Sequence, residues 1–358
     1  MTVTRARLDP AIFDLPVEKM RAGWYTDAYF NHTRSALLED GRHPDVVMQV
    51  FQKKHAYLGG MDEAIAVLKL CADEFDALTV RALHDGDAIE PYETVLSIEG
   101  DYTTFAHLET VYLGVLARRT LITTNTVNVL RAANGKPVIF MPARHDHHRV
   151  QTGDGYAAYV AGQIVGAEVG VTTDEQASWW GGRGLGTVPH ALIAAYGGDT
   201  VLAARKFAEW APPDMHLTVL VDFENDSVRT ALEVAEALGP RLWGVRLDTS
   251  ESLVDRSLWG ELGDFRPTGV NPRLVWKLRS ALDAAGYDGV RIVVSGGFTL
   301  EKIREFEQNG VPVDAYGIGS SLIRGSNDFT ADIVTTDGVP SAKVGRWLRP
   351  NPRLDLVT

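Results

Sequence analysis

From Pro137 onward, short apolar runs rich in Val, Ile and Leu alternate with longer stretches whose apolar residues recur every three to four positions. A two-residue period followed by a 3.6-residue one predicts strand then helix, and its repetition predicts serial βα units around a parallel sheet. The strand-like runs are Pro137–Met141, Ala167–Thr172, Leu217–Phe223, Leu242–Leu247, Arg291–Val294 and Ala315–Ile318, with a poorly defined element around Gly186–His190. The intervening helices are well punctuated. Asn271 can cap a helix that has Pro272 at its first position, carries Leu274, Leu278 and Leu282 on one stripe and closes at Gly286. Val228, Leu232 and Ala235 form a similar stripe ahead of Gly239. Six or seven strands in series is short of the eight that close a full barrel. The expected class is therefore α/β, with an irregular or open α/β barrel competing with a doubly wound sheet.

The first third has a different grammar and reads as an α+β N-terminal domain. Ile65, Leu68 and Phe75 recur at helical spacing from Met61, and Cys71 falls on the same stripe as a small buried residue. Leu78–Leu83 and Thr94–Ile98 flank the turn-rich His84-Asp85-Gly86-Asp87 and predict a β-ribbon, weakened near Pro91. Two helices are expected next, Thr104–Arg119 and Thr123–Ala133, the second stopped by Asn134-Gly135.

Charge narrows the function classes. The 358 residues include 35 Lys+Arg against 47 Asp+Glu, a formal charge of −12. No basic block offsets this, so a nucleic-acid role resting on nonspecific phosphate contacts is disfavoured, while small anionic substrates stay open wherever arginines gather. One cysteine permits neither an internal disulfide nor a Cys-rich metal site, and a reducing compartment, the cytoplasm, is the expected location. Met1–Ala22 interrupts each apolar group with charge or proline, and no apolar run reaches bilayer length, so neither secretion nor a membrane is expected.

Polar residues collect where the strand-like runs end. Arg144 trails the first run, Thr173 and Asp174 the second, Asp222 closes the third, and Arg246 and Asp248 end the fourth. Ser295-Gly296-Gly297 and Gly317-Ile318-Gly319-Ser320-Ser321 follow the last two. Parallel α/β folds place their active sites at that face. The two glycine loops have the composition of a phosphate cradle, although each alone is also an ordinary βα turn. Arg246 and Asp248 share a strand face and suit a sugar phosphate, the Arg taking phosphate oxygens and the Asp a hydroxyl or Mg²⁺; a structural salt bridge is the alternative. His190 follows the glycine-rich Gly181–Gly184 and Gly186, whose small residues let an anion reach the imidazole. His145, His147 and His148 with Asp146 resemble metal ligands, but no second cluster completes a zinc site. Trp179-Trp180 reads as packing or a gate, and the Arg118-Arg119 pair either reaches a substrate across an interface or is solvated.

Taken in order, Thr26-Asp27-Ala28-Tyr29, Leu116-Ala117-Arg118-Arg119 leading to Thr123–Thr126, Ala143-Arg144, Gly186–Leu192, Val245–Asp248, Val294–Gly297 and Gly317–Ser320 resemble the nicotinate phosphoribosyltransferase family, related to the nicotinamide and quinolinate enzymes. Asp328–Asp332 and Lys343–Arg346 extend the resemblance towards the C-terminus. It implies an α+β domain over 1–135, an irregular α/β barrel over 136–325 and a segment 326–358 that returns to the first domain, in a homodimer with shared active sites. It further implies that nicotinate and phosphoribosyl pyrophosphate give nicotinate mononucleotide and pyrophosphate, with Mg²⁺ and with ATP as a cosubstrate hydrolysed through a phosphorylated histidine. His190 matches that histidine, Arg144 the arginine near the pyridine carboxylate, and Tyr29 a stacking aromatic from the neighbouring subunit. Arg246 and Asp248 match the ribose and pyrophosphate clamp, and the two glycine loops match the 5′-phosphate site. The chain departs from the family where it has Met141–His145 for Phe-Gly-x-Arg-Arg, and Asp248–Glu251 for Asp-Ser-Gly-Asp. Two other classes compete: a Schiff-base aldolase, for which Lys206, Lys277, Lys302 and Lys136 are poorly placed, and a noncatalytic nucleotide sensor.

Overall fold

The computed structural model describes residues 6–261 and 263–358. The chain divides into two compact units, one running to Val127 and taking in Gly325–Thr358, the other Asn128–Arg324. The first unit opens with helices α1 (Val17–Arg21) and α2 (Ala28–Glu39), followed by strands β1 (Asp45–Phe51) and β2 (Ala56–Tyr57) and helix α3 (Met61–Cys71). Strands β3 (Thr79–Ala82), β4 (Ala88–Ile89) and β5 (Leu96–Asp101) come next. β3 and β5 pair antiparallel with Val80 opposite Ile98, and β5 also pairs with β1, with Met48 opposite Ile98. Alternation then carries Met48, Val50, Val80, Leu96 and Ile98 into one core with Ile65, Leu68 and Cys71 of α3. Each such side chain contributes about 1.5–3 kcal/mol on burial.

The expected break between two helices after Arg119 does not occur. A single helix, α4, spans Glu109–Ala132. No Gly or Pro stands between Arg119 and Thr123, and Thr120, Thr123 and Thr126 are buried on one helical face instead of opening a turn. The helix stops where expected, at Asn134 (φ 52°) and Gly135 (φ 83°), both left-handed.

The second unit is built on β6 (Val138–Phe140), β7 (Val169–Val171), β8 (Thr218–Leu220), β9 (Gly244–Leu247), β10 (Arg291–Val294) and β11 (Ala315–Ile318), one parallel sheet in the order β7-β6-β11-β10-β9-β8. Each strand coincides with a run read from the sequence. Helices α5 (Gln151–Val165), α6 (Asp174–Ala177), α7 (His190–Ala195), α8 (Thr200–Trp210), α9 (Ser227–Leu238), α10 (Pro272–Ala284) and α11 (Leu300–Gln308) connect them. The segment around Gly186 is what bends this sheet towards a barrel. Leu185 N–H donates to Val171 O at 2.7 Å on one edge strand, and Val188 N–H donates to Thr218 O at 2.9 Å on the other. One hydrogen bond at each end joins the edges without a continuous ladder, an open, irregular α/β barrel.

In α10, Asn271 accepts from Leu274 N–H and Leu274, Leu278 and Leu282 are fully buried. In α9 the buried face is Thr230, Ala231, Val234 and Ala235, so the stripe is rotated from the expected Val228 and Leu232 and packs through smaller residues. The C-terminal residues return to the first sheet as β12 (Thr330–Thr336), β13 (Val339–Pro340) and β14 (Asp355–Leu356), giving the order β13-β12-β1-β5-β3-β14. No helix among the described residues is long and apolar enough to cross a membrane.

Candidate active site

The carboxyl ends of the parallel strands open into a cavity of about 760 Å³ within the second unit. Arg246 and Asp248 enter it together because alternate strand residues share a face. Arg246 donates through Nε to Ser295 Oγ at 2.8 Å and through Nη1 to Thr187 Oγ1 at 3.3 Å, while Nη2 lies 3.5 Å from Asp248 Oδ2. Ser295 Oγ in turn donates to Asp248 Oδ1 at 2.7 Å. The clamp is thus held from β9 and β10 at once, and both Arg and Asp keep open valence towards the cavity.

Ser295, Gly296, Gly297, Gly317, Gly319 and Ser320 all line the same cavity. Gly296 (φ 78°) and Gly297 (φ 68°) turn left-handed, and a Cβ on Gly297 would stand 2.3 Å from Glu251 Oε1. Gly317 and Gly319 serve another need, since a Cβ there would meet Met141 Cε and His145 Cε1, each at 2.8 Å. The N-terminus of α11 begins beside this loop, with Thr299 as its cap and a lining residue. Glycine turns beside a helix N-terminus are the arrangement by which α/β folds bind anions.

His190 begins α7 and lines the cavity, its side chain 42% exposed. Its Nε2 meets Oδ1 of Asp222, whose side chain is 7% exposed, at 3.1 Å. That hydrogen bond raises the imidazole pKa above the usual 6.5; burial opposes it, and the Asp222 and Asp248 charges add to it. A carboxylate on Nε2 fixes an Nε2–H tautomer in the neutral ring and leaves Nδ1 with the free lone pair.

Arg144 also lines the cavity, and its guanidinium has no hydrogen bond or ion pair with a described residue. The Thr173 hydroxyl caps α6, accepting from Gln176 N–H in a capping box and donating to Gln151 Oε1, and it is the neighbouring Thr172 that lines the cavity. Tyr29 and Arg118 belong to the first unit and are not among the residues lining this cavity. Arg119 beside Arg118 pairs with Glu63 at 2.9 Å. Trp180 stacks on Tyr159 with ring centres 4.9 Å apart, a packing contact. His145, Glu251 and Ser321, named in the sequence as a metal-ligand candidate, the end of the Asp248–Glu251 motif and part of the second glycine loop, line the cavity too, and Arg324 is a lining residue the sequence does not single out. No lysine is among the lining residues, and no cluster of three or more His, Cys, Asp or Glu suited to a metal occurs among the described residues.

Glycine loops, an arginine–aspartate pair and a histidine held by a carboxylate thus meet at the carboxyl ends of parallel strands, where α/β folds place their active sites. Residues 27–120 match the family of quinolinate phosphoribosyl transferase N-terminal domains. A nicotinate phosphoribosyltransferase of Mycobacterium tuberculosis is 30% identical over 360 residues, covering 90% of this chain and 74% of that protein. The crystal structure of a nicotinate-nucleotide pyrophosphorylase from Pyrococcus furiosus superimposes with a TM-score of 0.81 at 33% identity, over 96% of this chain and 85% of the other. Human nicotinic acid phosphoribosyltransferase shares the fold, with a TM-score of 0.63 at 17% identity over 88% of this chain and 75% of its own. The chain belongs to the nicotinate and quinolinate phosphoribosyltransferase family.

Proposed function

We propose that this protein is a nicotinate phosphoribosyltransferase of NAD biosynthesis, acting in the cytoplasm and coupling transfer to ATP hydrolysis. The observation that carries the reading is the convergence in one cavity of a free Arg144, the Arg246–Asp248–Ser295 clamp, two glycine loops and the His190–Asp222 pair. The glycine loops hold the 5′-phosphate of phosphoribosyl pyrophosphate, and Arg246 takes the diphosphate. The pyridine nitrogen then forms its bond to C1′ of the ribose as the C1′–O bond breaks, the electron pair leaving with pyrophosphate. The transition state carries positive charge on the sugar, which the Asp248 carboxylate faces. Pyridine nitrogen has a lone pair at neutral pH, so positioning outweighs base catalysis.

Magnesium fits the donor set, because it is commonly held by one or two carboxylates plus substrate oxygens, and Asp248 and Glu251 both line the cavity. When bound it neutralises charge on the leaving diphosphate. ATP coupling is assigned to His190, whose Nδ1 attacks the γ-phosphorus as ADP leaves; water later cleaves the phosphoimidazole. Asp222 keeps the ring oriented through Nε2. The homodimer reading draws support from α2, which has no buried residue and carries Tyr29 at 59% exposure.

The family matched by residues 27–120 is named for quinolinate, which makes quinolinate the competing base. Quinolinate brings a second carboxylate, and Arg324, the arginine of the cavity that remains beside Arg144 and Arg246, already has an interaction of its own. A guanidinium binds one carboxylate bidentately, whereas an amide offers one uncharged acceptor. Nicotinate should therefore have a higher kcat/KM than nicotinamide or quinolinate, and Arg144→Ala should erase most of the margin over nicotinamide. Equal turnover of nicotinamide by the unmodified protein overturns the assignment.

A further inference from the structure

A second cavity, also of about 760 Å³, adjoins the first within the same unit. The two share Glu251, Gly297 and Thr299; the second adds Phe265, Arg266, Trp276 and Lys302, none of which lines the first. Trp276 stands on α10 opposite the buried leucine stripe and remains 47% exposed. Lys302, in the first turn of α11, has a side chain only 19% exposed. Its ammonium lies 4.6 Å from the centre of the Phe298 ring and 4.0 Å from Glu251 Oε1, and no described residue accepts a hydrogen bond from it. An ammonium has three donors, and withdrawing it from water without an acceptor is costly. Arg266, which donates through Nε to Thr268 Oγ1 at 3.1 Å, supplies a second cation.

We infer that this second cavity is a regulatory site for a nucleoside monophosphate, with the phosphate on Lys302 and Arg266 and the base against Trp276 and Phe265. Its volume lies within the range of small-molecule sites and exceeds what a single pyridine ring fills. Asp264, Glu301 and Glu305 also line it, which disfavours a di- or triphosphate. Occupancy reaches the active site through Glu251. A phosphate on Lys302 takes that cation from the Glu251 carboxylate, which packs directly against Gly297 of the phosphate loop. The inference is independent of which base the active site accepts.

The test is calorimetric binding of AMP, with adenosine and inorganic phosphate as separate probes, to the unmodified protein and to Lys302→Met, Trp276→Ala and Arg246→Ala. AMP should bind more tightly than either fragment. Lys302→Met and Trp276→Ala, each confirmed folded by circular dichroism, should weaken it by about ten-fold or more. Arg246→Ala, in the other cavity, should leave it within roughly two-fold. Three results overturn the inference: no AMP binding at millimolar concentration, phosphate binding as tightly as AMP, or binding lost in Arg246→Ala and retained in the other two.

Discussion

Replacing Arg246 with alanine separates what this side chain does for the fold from what it does for the reaction. In the folded protein it makes one close hydrogen bond, to Ser295 at 2.8 Å, one longer contact to Thr187 at 3.3 Å, and an ion pair with Asp248 at 3.5 Å. The ion pair is 16% and 19% exposed and loosely placed, so it contributes under about 1 kcal/mol. The Ser295 bond adds about 1–2 kcal/mol, and Ser295 keeps Asp248 as a partner after the substitution. Stability should thus fall by about 1–3 kcal/mol, each kcal/mol lowering Tm by on the order of 2–4 °C for a unit of this size. Transition-state stabilisation should fall further. Losing a positioned donor that meets developing charge costs about 10²- to 10³-fold, equivalent to 2.7–4 kcal/mol. Arg246→Lys keeps the charge without the planar fork and should lie between. The assay is kcat/KM for mononucleotide formation from phosphoribosyl pyrophosphate and nicotinate, beside a thermal melt of each variant. A folded Arg246→Ala protein within an order of magnitude of the unmodified kcat/KM refutes the clamp.

Three other outcomes are expected. His190 must be neutral to attack phosphorus, and the Asp222 hydrogen bond raises its pKa above 6.5, so ATP cleavage should climb on the alkaline side of that value; Asp222→Asn should move the climb to lower pH, and an unmoved midpoint of ADP release contradicts the pairing. Glu109 is raised from 4.5 to about 8 by burial, with Asp332 and Asp27 adding, so its favourable contribution is complete below about 4.5 and lost as pH rises through about 8. Glu109→Gln stays neutral, and its denaturation midpoint should gain on the unmodified protein across that window and plateau above it; a pH-independent difference refutes this. Mixing inactive Tyr29→Ala with inactive Arg246→Ala should restore activity if Tyr29 serves a neighbour's site, and no recovery despite proven subunit exchange counts against it.

The parallel strands were legible because apolar runs and helical stripes alternate without interruption, and Arg246 with Asp248 because a two-residue spacing on a strand puts both on one face. The sequence could not show that His190 meets Asp222, 32 residues away. Their meeting depends on Val188 joining the edge strand β8, from whose end Asp222 follows. Strand ends do not announce which hydroxyl a capping box will consume, so the cap made by Thr173 is not legible in the sequence. The α4 threonines looked like a break because their burial is decided by packing, not by local preference. The sequence offers Lys302 only as a poorly placed Schiff-base lysine for a related reason: a lysine on an amphipathic helix reads as solvated until the neighbouring cavity is seen.

The central claim is a reaction, and product analysis tests it most directly. Purified protein with phosphoribosyl pyrophosphate and magnesium should be given nicotinate, nicotinamide or quinolinate in turn, each with and without ATP, while mononucleotide, pyrophosphate and ADP are followed together. The account predicts nicotinate mononucleotide and pyrophosphate in equal amounts from nicotinate, faster with ATP, with ADP released in step and lost in His190→Asn. Mononucleotide formed from quinolinate alone, or no mononucleotide from any base, contradicts it.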